Sequence, residues 1–265
     1  KSLIKKIIRF YFCIHFFHRS MVRREPYCLK AWMLADFPAP PDTNFTVSYI
    51  DDCVADYLAP AYYVVTPIDD YSNNSIYINE TTDTSDISYF TTLAHEGFPG
   101  HLYQTVMTYQ SGIQPVRSLL NYSGYVEGWA TYAELHSYHY ATLNEDVATL
   151  MELNQDATLS LYASTDIGIH YKEWTIEDTR EFWNNYGINN DEAIENIFEL
   201  IVEEPTHYLK YYIGFLEFEE LKTETKLLNI NNYNDKSFHQ AVLSIGPAPF
   251  DLIEKYLPAY YTYIE

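Results

Sequence analysis

The sequence predicts a mainly α-helical domain with a small antiparallel β-sheet, an α+β fold. Three short runs rich in β-branched and aromatic residues lie between residues 45 and 79, and from residue 84 onward apolar residues recur at helical spacing. The 265 residues are 47% hydrophobic and 20% charged, which excludes a disordered chain and a coiled coil. This length and composition are sufficient for one sizeable hydrophobic core.

The predicted elements follow one another along the chain. A proline-rich connector over residues 36–42 comes first. The strands are predicted at residues 45–50, 61–66 and 75–79. A first helix is predicted near Ile87, because Phe90, Leu93 and Ala94 have helical spacing. Further helices are predicted over residues 118–142, 144–164, 176–186, 190–203, 206–228 and 235–244.

The distribution of charge divides the chain into two parts. Residues 1–30 contain eight of the 16 Lys and Arg residues and one of the 37 Asp and Glu residues, so they carry +7, whereas residues 31–265 carry −28. We therefore separate an atypical basic and aromatic N-terminal segment, residues 1–30, from a domain over residues 31–265. The net charge of −21 argues against a nucleic-acid partner, and no apolar run is long enough for a membrane-spanning segment.

The N-terminal segment gives no compartment. Its charged residues precede its apolar residues, as in a signal peptide, but a small-residue cleavage site is missing. The sequence therefore leaves open a cytoplasmic or an extracytoplasmic location, and it leaves the oligomeric state open as well. The three cysteines, an odd number, indicate neither a disulfide framework nor a cysteine-based zinc site.

The most informative motif is His95-Glu96-Gly-Phe-Pro-Gly-His101. Zinc hydrolases place two histidines four residues apart on one helix face, with a glutamate beside the first as general base. Here the spacing is six, which on a continuous helix separates the two imidazoles by about 240°. A break at Pro99-Gly100 would return His101 to the face of His95. The alternative is that Pro99-Gly100 simply ends a helix.

A third metal ligand is predicted further along the chain. Glu127 and Glu134 lie seven residues apart, on one face of a predicted helix that also carries Trp129. Burying carboxylates on an apolar face is costly without a cation or hydrogen-bond donors. One of them would complete a set of two His and one Glu that leaves a position for water. A solvated acidic face is the alternative.

Together these motifs resemble a bacterial family catalogued as domain of unknown function 885, which looks like a branch of the gluzincin metallopeptidases. The resemblance runs from about Leu29 to Leu257. Further similar motifs are Asp166–His170, Pro205–Gly214, Ser237–His239 and Gly246–Pro249. Typical members are about twice as long, so this chain is similar to their C-terminal catalytic half. Some relatives look like exported lipoproteins.

The resemblance implies roles for individual residues. His95, His101 and Glu127 would bind one Zn²⁺ per chain, and Glu96 would act as the general base. Glu134 would orient a ligand imidazole from outside the ligand set. The implied reaction is zinc-dependent hydrolysis of peptide bonds, by a carboxypeptidase or an oligopeptidase. The alternatives are a catalytically inactive peptide-binding relative and a metal-dependent hydrolase of a small-molecule amide.

Three more residues are candidates for contact with the peptide. His170 and Tyr211 lie in family-like motifs and could donate to a tetrahedral intermediate, although either could equally be a buried polar group of the core. The family often has an arginine near Pro205 that this chain lacks, which puts binding of a substrate carboxylate in doubt. Arg117 is the candidate to replace it, because Arg180 has the acidic neighbours of an exposed helix charge. We also expect the edge of the sheet to pair with an extended peptide.

Overall fold

The computed structural model describes residues 25–55, 58–67, 70–79, 86–228 and 233–262. Residues 1–24 of the basic N-terminal segment lie outside this part of the chain. The segment's last residues belong to helix α1, Glu25–Trp32. Every helix in the described ranges is too short or too polar to cross a bilayer.

The mainly helical architecture predicted from the sequence is confirmed. The strands are β1 (Asn44–Tyr49), β2 (Ala61–Val64) and β3 (Asn73–Ile78). The helices that follow are α2 (Asp86–Glu96), α3 (His101–Gln110), α4 (Ser123–Ser137), α5 (Glu145–Lys172), α6 (Ile176–Asn185), α7 (Asp191–Glu203), α8 (His207–Leu228), α9 (Asp235–Ile245) and α10 (Phe250–Thr262). Asparagine or threonine side chains cap the N-termini of α5, α6, α7 and α9.

Two predicted helices differ in extent from the observed ones. The helix expected over residues 118–142 is α4 flanked by two 3₁₀ segments, Pro115–Leu119 and Tyr138–Tyr140. The helix expected over residues 144–164 continues to Lys172, where Glu173 ends it in a left-handed conformation with φ of 59°. No glycine or proline stop lies where the sequence-based prediction ended this helix, and Gly168 is accommodated inside it.

The sheet is mixed, so the prediction of an antiparallel sheet was wrong for one of its two pairings. The strand order is β1-β3-β2. β1 runs parallel to β3, and β2 runs antiparallel to it. After β1 the chain passes through a helical turn, Asp52–Ala55, and returns as β2 on the far side of β3. Residue pattern indicates strands but not their direction, and this connection is what decides it.

The sheet packs against the end of α2. Ile76 and Ile78 on β3 are fully buried, together with Leu93 and Phe98. Gly97 follows α2, and a side chain there would come within 3.0 Å of the Ile76 side chain and 2.9 Å of the Leu93 carbonyl oxygen. The last turn of α2 therefore lies directly beside the sheet.

Helices α4 and α8 cross with their backbones in contact. A side-chain carbon at Gly128 would lie 2.3 Å from the backbone of Gly214, and one at Gly214 would lie 2.1 Å from the carbonyl oxygen of Gly124. Only glycine permits this approach. The crossing brings the N-terminal part of α8 beside the segment of α4 that contains Glu127.

Candidate metal centre

The break predicted between the two histidines is observed. Helix α2 ends at Glu96 and α3 begins at His101, so residues 97–100 form a short linker between them. The Gly100 amide donates to the Ala94 carbonyl (2.9 Å), and a side chain at Gly100 would lie 1.8 Å from the His95 carbonyl oxygen. The tight linker places the two imidazoles side by side, with ring centroids 4.8 Å apart.

The linker is also attached to α4. The indole Nε1 of Trp129 donates to the carbonyl oxygen of Pro99 (2.9 Å), and the Trp129 side chain is fully buried. In sequence, Trp129 lies between Glu127 and Glu134. Its side chain lies on the side of α4 that faces the core. It therefore ties the histidine linker to the helix that carries both glutamates.

Glu127 faces both histidines. Its Oε2 atom lies 3.2 Å from His101 Nε2 and 3.7 Å from His95 Nε2. This oxygen is buried and has no hydrogen-bond partner in the described part of the chain. A buried carboxylate oxygen directed at two imidazole nitrogens is an arrangement that a divalent cation would satisfy. The residues present therefore fit a zinc ion.

Glu96 is a second carboxylate at the same place. One potential ligand atom each from His95, Glu96 and His101 lies within 4.8 Å of the others, so this trio could also hold a metal. However, Glu96 Oε2 accepts a hydrogen bond from the backbone amide of Tyr63 on β2 (2.7 Å). Glu96 is thus already bonded to the sheet, whereas Glu127 Oε2 makes no hydrogen bond of good geometry in the described residues and faces the two imidazoles.

Glu134 lies on the opposite side of the His95 ring. Its Oε2 is 3.0 Å from His95 Nδ1, the position from which a carboxylate accepts the Nδ1 proton and leaves Nε2 free for a metal. This is the geometry of the orienting role predicted for Glu134. Ser137 on the next turn donates its hydroxyl to the Glu134 carbonyl oxygen (2.6 Å).

The neighbouring groups of the cluster change the pKa values of His95 and Glu127. Burial disfavours protonation of His95, but Glu127 and Glu134 outweigh it and raise the pKa of His95 to about 10. Burial likewise opposes ionisation of Glu127, yet the facing His101 and His95 hold its pKa well below the ordinary value.

Helix α8 brings two side chains to the cluster. The ring of Tyr211 lies 6.1 Å from that of His95, and burial followed by the charges of Glu127 and Glu96 raises the pKa of Tyr211 above its ordinary value. Tyr211 is therefore a neutral hydrogen-bond donor. The Lys210 ammonium lies 3.8 Å from Glu127 Oε1.

The other two predicted site residues make their described contacts elsewhere. His170, on α5, has its Nε2 atom 2.8 Å from the carbonyl oxygen of Ile201, which links α5 to α7. Arg117 donates from Nη2 to the carbonyl oxygen of Pro247 (2.8 Å), in the connection between α9 and α10. Their roles as catalytic donor and substrate clamp stay predictions.

Three contributions were missed by the sequence reasoning: the Tyr63 backbone amide, the Trp129 indole and the Lys210 ammonium. Lys210 precedes Tyr211 in a family-like motif, so its position along the chain is a usable signal, although a carboxylate-binding cation is more often expected to be an arginine. Trp129 lies between the two glutamates and could have been suspected for the same reason. The Tyr63 amide gives no side-chain signal at all.

Comparison with known proteins identifies relatives of the whole domain. The sequence matches the model of the family described as "Bacterial protein of unknown function (DUF885)" over residues 23–257. Comparison with curated proteins finds no match.

Two solved structures have a similar fold. One, titled a "putative lipoprotein" from Colwellia psychrerythraea, has a TM-score of 0.78 and 22% identity, and the alignment covers 92% of this chain and 42% of that chain. The other, titled a "putative lipoprotein of unknown function" from Shewanella oneidensis, has a TM-score of 0.69 and 22% identity, with 90% and 45% covered. The chain thus spans less than half the length of each. Because the family model matches most of its length, this chain belongs to the DUF885 family of bacterial proteins of unknown function.

Proposed function

We propose that this domain is a zinc-dependent hydrolase of peptide bonds, similar to the gluzincin metallopeptidases, with His95, His101 and Glu127 as the metal ligands. The observation that carries the proposal is the buried, unpaired Oε2 atom of Glu127 facing two imidazole nitrogens, with the carboxylate of Glu96 beside them. When bound there, zinc would polarise the scissile carbonyl and lower the pKa of a water molecule.

Glu96 is the general base in this proposal. The hydrogen bond that its side chain accepts from the Tyr63 backbone amide fixes the Glu96 carboxylate between the sheet and the histidines. It accepts a proton from the attacking water, whose oxygen bonds to the carbonyl carbon, and delivers that proton to the amine that leaves when the C–N bond breaks. A protein that only binds peptides has no use for a base in this position, which favours the hydrolase over the inactive relative.

Tyr211 is the donor to the tetrahedral intermediate. Its raised pKa keeps the hydroxyl protonated, and its ring lies close to that of His95. A neutral donor of this kind stabilises an oxyanion by hydrogen bonding without adding charge to the resting site. His170 is retained as a second candidate donor, although its hydrogen bond to Ile201 must be broken for that role.

The position of β2 favours peptides over small-molecule amides. β2 is an edge strand of the described sheet. The hydrogen bond from the Asn79 amide to the Pro60 carbonyl oxygen shows which β2 residues form backbone hydrogen bonds with β3. By alternation along an antiparallel pair, the backbone groups of Ala61 and Tyr63 point away from β3, on the side where the Tyr63 amide donates to Glu96. An extended peptide added at this edge would lie beside the catalytic base.

Metal analysis followed by peptide cleavage tests the proposal. Protein purified without chelators should contain about one zinc per chain and should cleave members of a mixed peptide library, detected by mass spectrometry. Glu96→Gln should retain the zinc and lose cleavage. Folded protein that takes up no zinc at equimolar concentration would overturn the proposal, and so would equal cleavage by Glu96→Gln.

The compartment is part of the same proposal. The two similar structures carry lipoprotein titles, which supports an extracytoplasmic location for this protein. Since those chains are more than twice as long as the aligned region, the activity test should be repeated with any longer chain in which this domain occurs.

A further inference from the structure

Lys210 is a cation at the edge of an otherwise acidic centre. Its ammonium lies 3.8 Å from Glu127 Oε1, whereas Glu127 Oε2 faces the histidines. The two oxygens of one carboxylate thus point to different partners. The Lys210 side chain is 29% exposed, so a ligand in solution can reach it. The ammonium also lies over the ring of Tyr211, 5.0 Å from the ring centroid.

Several other cations of the domain are engaged elsewhere. Arg117 bonds to the Pro247 carbonyl, and Arg180 pairs with Glu195 on α7. Lys222 donates to the Tyr132 hydroxyl (2.8 Å) in the core beside α9. Among the residues that the structure describes, Lys210 is a cation placed directly against a proposed metal ligand, and the crossing at Gly128 and Gly214 fixes the helix that carries it.

We propose that Lys210 binds the terminal α-carboxylate of the substrate, so that the enzyme cleaves peptides near a free C-terminus. This inference rests on the proposed function and names its substrate class. A carboxylate in this centre would otherwise be repelled by Glu96, Glu127 and Glu134. A metal on Glu127 Oε2 would weaken the pairing of Lys210 with that residue, which makes the ammonium available to an incoming anion.

The reach of Lys210 is suitable for this role. In a substrate cut at its last peptide bond, the scissile carbon and the terminal carboxyl carbon are separated by three bonds, roughly 4 Å. A cation that contacts a metal ligand therefore lies within range of that carboxylate. The flexible lysine stem covers the additional span needed if cleavage occurs one bond earlier.

The rival role for Lys210 is direct stabilisation of the oxyanion. The structure already provides Tyr211 as a neutral donor beside His95, and the proposed zinc would supply positive charge at the same oxygen. A third group there would be redundant, whereas a full negative charge at the substrate terminus has no other described partner in this centre. The carboxylate role is therefore the one that the arrangement favours.

Binding can be tested without turnover. Zinc-loaded Glu96→Gln protein is titrated by calorimetry with N-acetyl-Ala-Ala and with its C-terminal amide. We expect the free acid to bind roughly 10 to 100 times more tightly than the amide, the range of a charge-assisted hydrogen bond. Introducing Lys210→Met into the Glu96→Gln protein should bring the ratio of acid affinity to amide affinity close to one. Lys210→Arg should preserve most of this ratio.

The matched control is Lys226→Met, the same substitution at an exposed position near the other end of α8, which should leave the ratio unchanged. Lys210→Gln serves as the second neutral variant if Lys210→Met folds poorly, and circular dichroism and zinc content are measured for each. A ratio that Lys210→Met or Lys210→Gln leaves unchanged, a wild-type ratio near one, or equal weakening of both probes overturns the inference.

The two proposals fail separately. Wild-type cleavage of C-terminally amidated oligopeptides at internal bonds, with no preference for free acids, would contradict the role of Lys210 while supporting the hydrolase. Absence of zinc and of any cleavage would contradict the hydrolase itself. Two results together support both proposals. The wild type cleaves free-acid peptides at the last or penultimate bond, and Lys210→Met loses the cleavage of acids but not that of amides.

Discussion

The indole of Trp129 on α4 holds the carbonyl oxygen of Pro99 at 2.9 Å, across a fully buried contact. Pro99 belongs to the linker that sets the relative orientation of His95 and His101. The hydrogen bond thus joins the helix of one proposed ligand to the loop between the other two. The centre is therefore positioned from within the core.

Trp129→Phe should lower zinc affinity by more than the accompanying loss of folding stability accounts for. Phenylalanine is aromatic but smaller than tryptophan and cannot donate, which leaves the buried Pro99 carbonyl without its partner at a cost of about 1–3 kcal/mol. We expect zinc affinity to fall by roughly tenfold or more, as for other groups that orient metal ligands. Chelator competition measures the affinity, and urea unfolding of zinc-free protein measures stability. Trp174→Phe, just before α6, is the control, and equal zinc affinities in the two variants would contradict the prediction.

Substitutions of Glu127 and of Glu134 should have different effects on zinc binding. Glu127→Gln removes the negative charge that faces both imidazoles and replaces one carboxylate oxygen by an NH2 group, so it should abolish stoichiometric zinc binding. Glu134→Gln keeps hydrogen-bonding capacity next to His95 and should bind zinc with an affinity lowered roughly 10- to 100-fold. Zinc content after dialysis at pH 7 distinguishes them. The reverse order of the two losses would assign Glu134, not Glu127, to the ligand set.

At the crossing of α4 and α8, alanine should be tolerated at Gly124 but not at Gly128. At Gly128 the added carbon meets the Gly214 backbone at 2.3 Å, so Gly128→Ala must displace α8 and should cost about 3 kcal/mol or more. At Gly124 the added carbon meets only a Phe250 ring carbon at 3.9 Å, an ordinary contact, so Gly124→Ala should be neutral or slightly stabilising. Thermal unfolding of both variants gives the comparison. Similar losses in both would show that the helices do not cross at this point.

His239 should make the fold sensitive to mild acid. Its Nδ1 lies 2.8 Å from the Asp36 carbonyl oxygen and its Nε2 2.8 Å from the Tyr132 hydroxyl, and burial lowers the pKa of His239 to about 3. The unfolded chain, with an ordinary histidine pKa near 6.5, therefore binds more protons between pH 6.5 and 3, so stability falls as the pH decreases through this window.

From pH 6.5 to pH 5 this single group should cost about 1.5 kcal/mol. Urea unfolding of zinc-free protein at the two pH values gives the loss for the wild type. His239→Gln should show a smaller loss by about that amount, even though the variant is less stable at both pH values. If the two proteins lose the same stability, the histidine is not held neutral in the folded state.

Local signals allowed most helices to be predicted, because their apolar residues recur at helical spacing and glycine or proline follows several of them. Asn144, Asn190 and Asn234 each cap a helix at a boundary that the sequence marks. The parallel pairing of β1 with β3 has no such signal, since the same alternation of residues fits either direction.

The candidate centre was predictable only in part. The motif from His95 to His101 required a break whose location Pro99-Gly100 indicates, and the two glutamates share a helix face that spacing alone reveals. The approach of Lys210 depends on two glycines, Gly128 and Gly214, that lie 86 positions apart and touch only in the folded chain. Contacts of that range are set by the packing of whole helices, which residue spacing does not encode.

The glycine crossing has a consequence for protein engineering. Because α4 and α8 meet through backbone atoms at Gly128 and Gly214, backbone contact sets how closely the helices approach beside Glu127 and Lys210. Exchanges of exposed residues away from this crossing leave that contact in place. Conversely, a library that varies Gly128 or Gly214 would alter the geometry of the centre in every member, whatever else it contains.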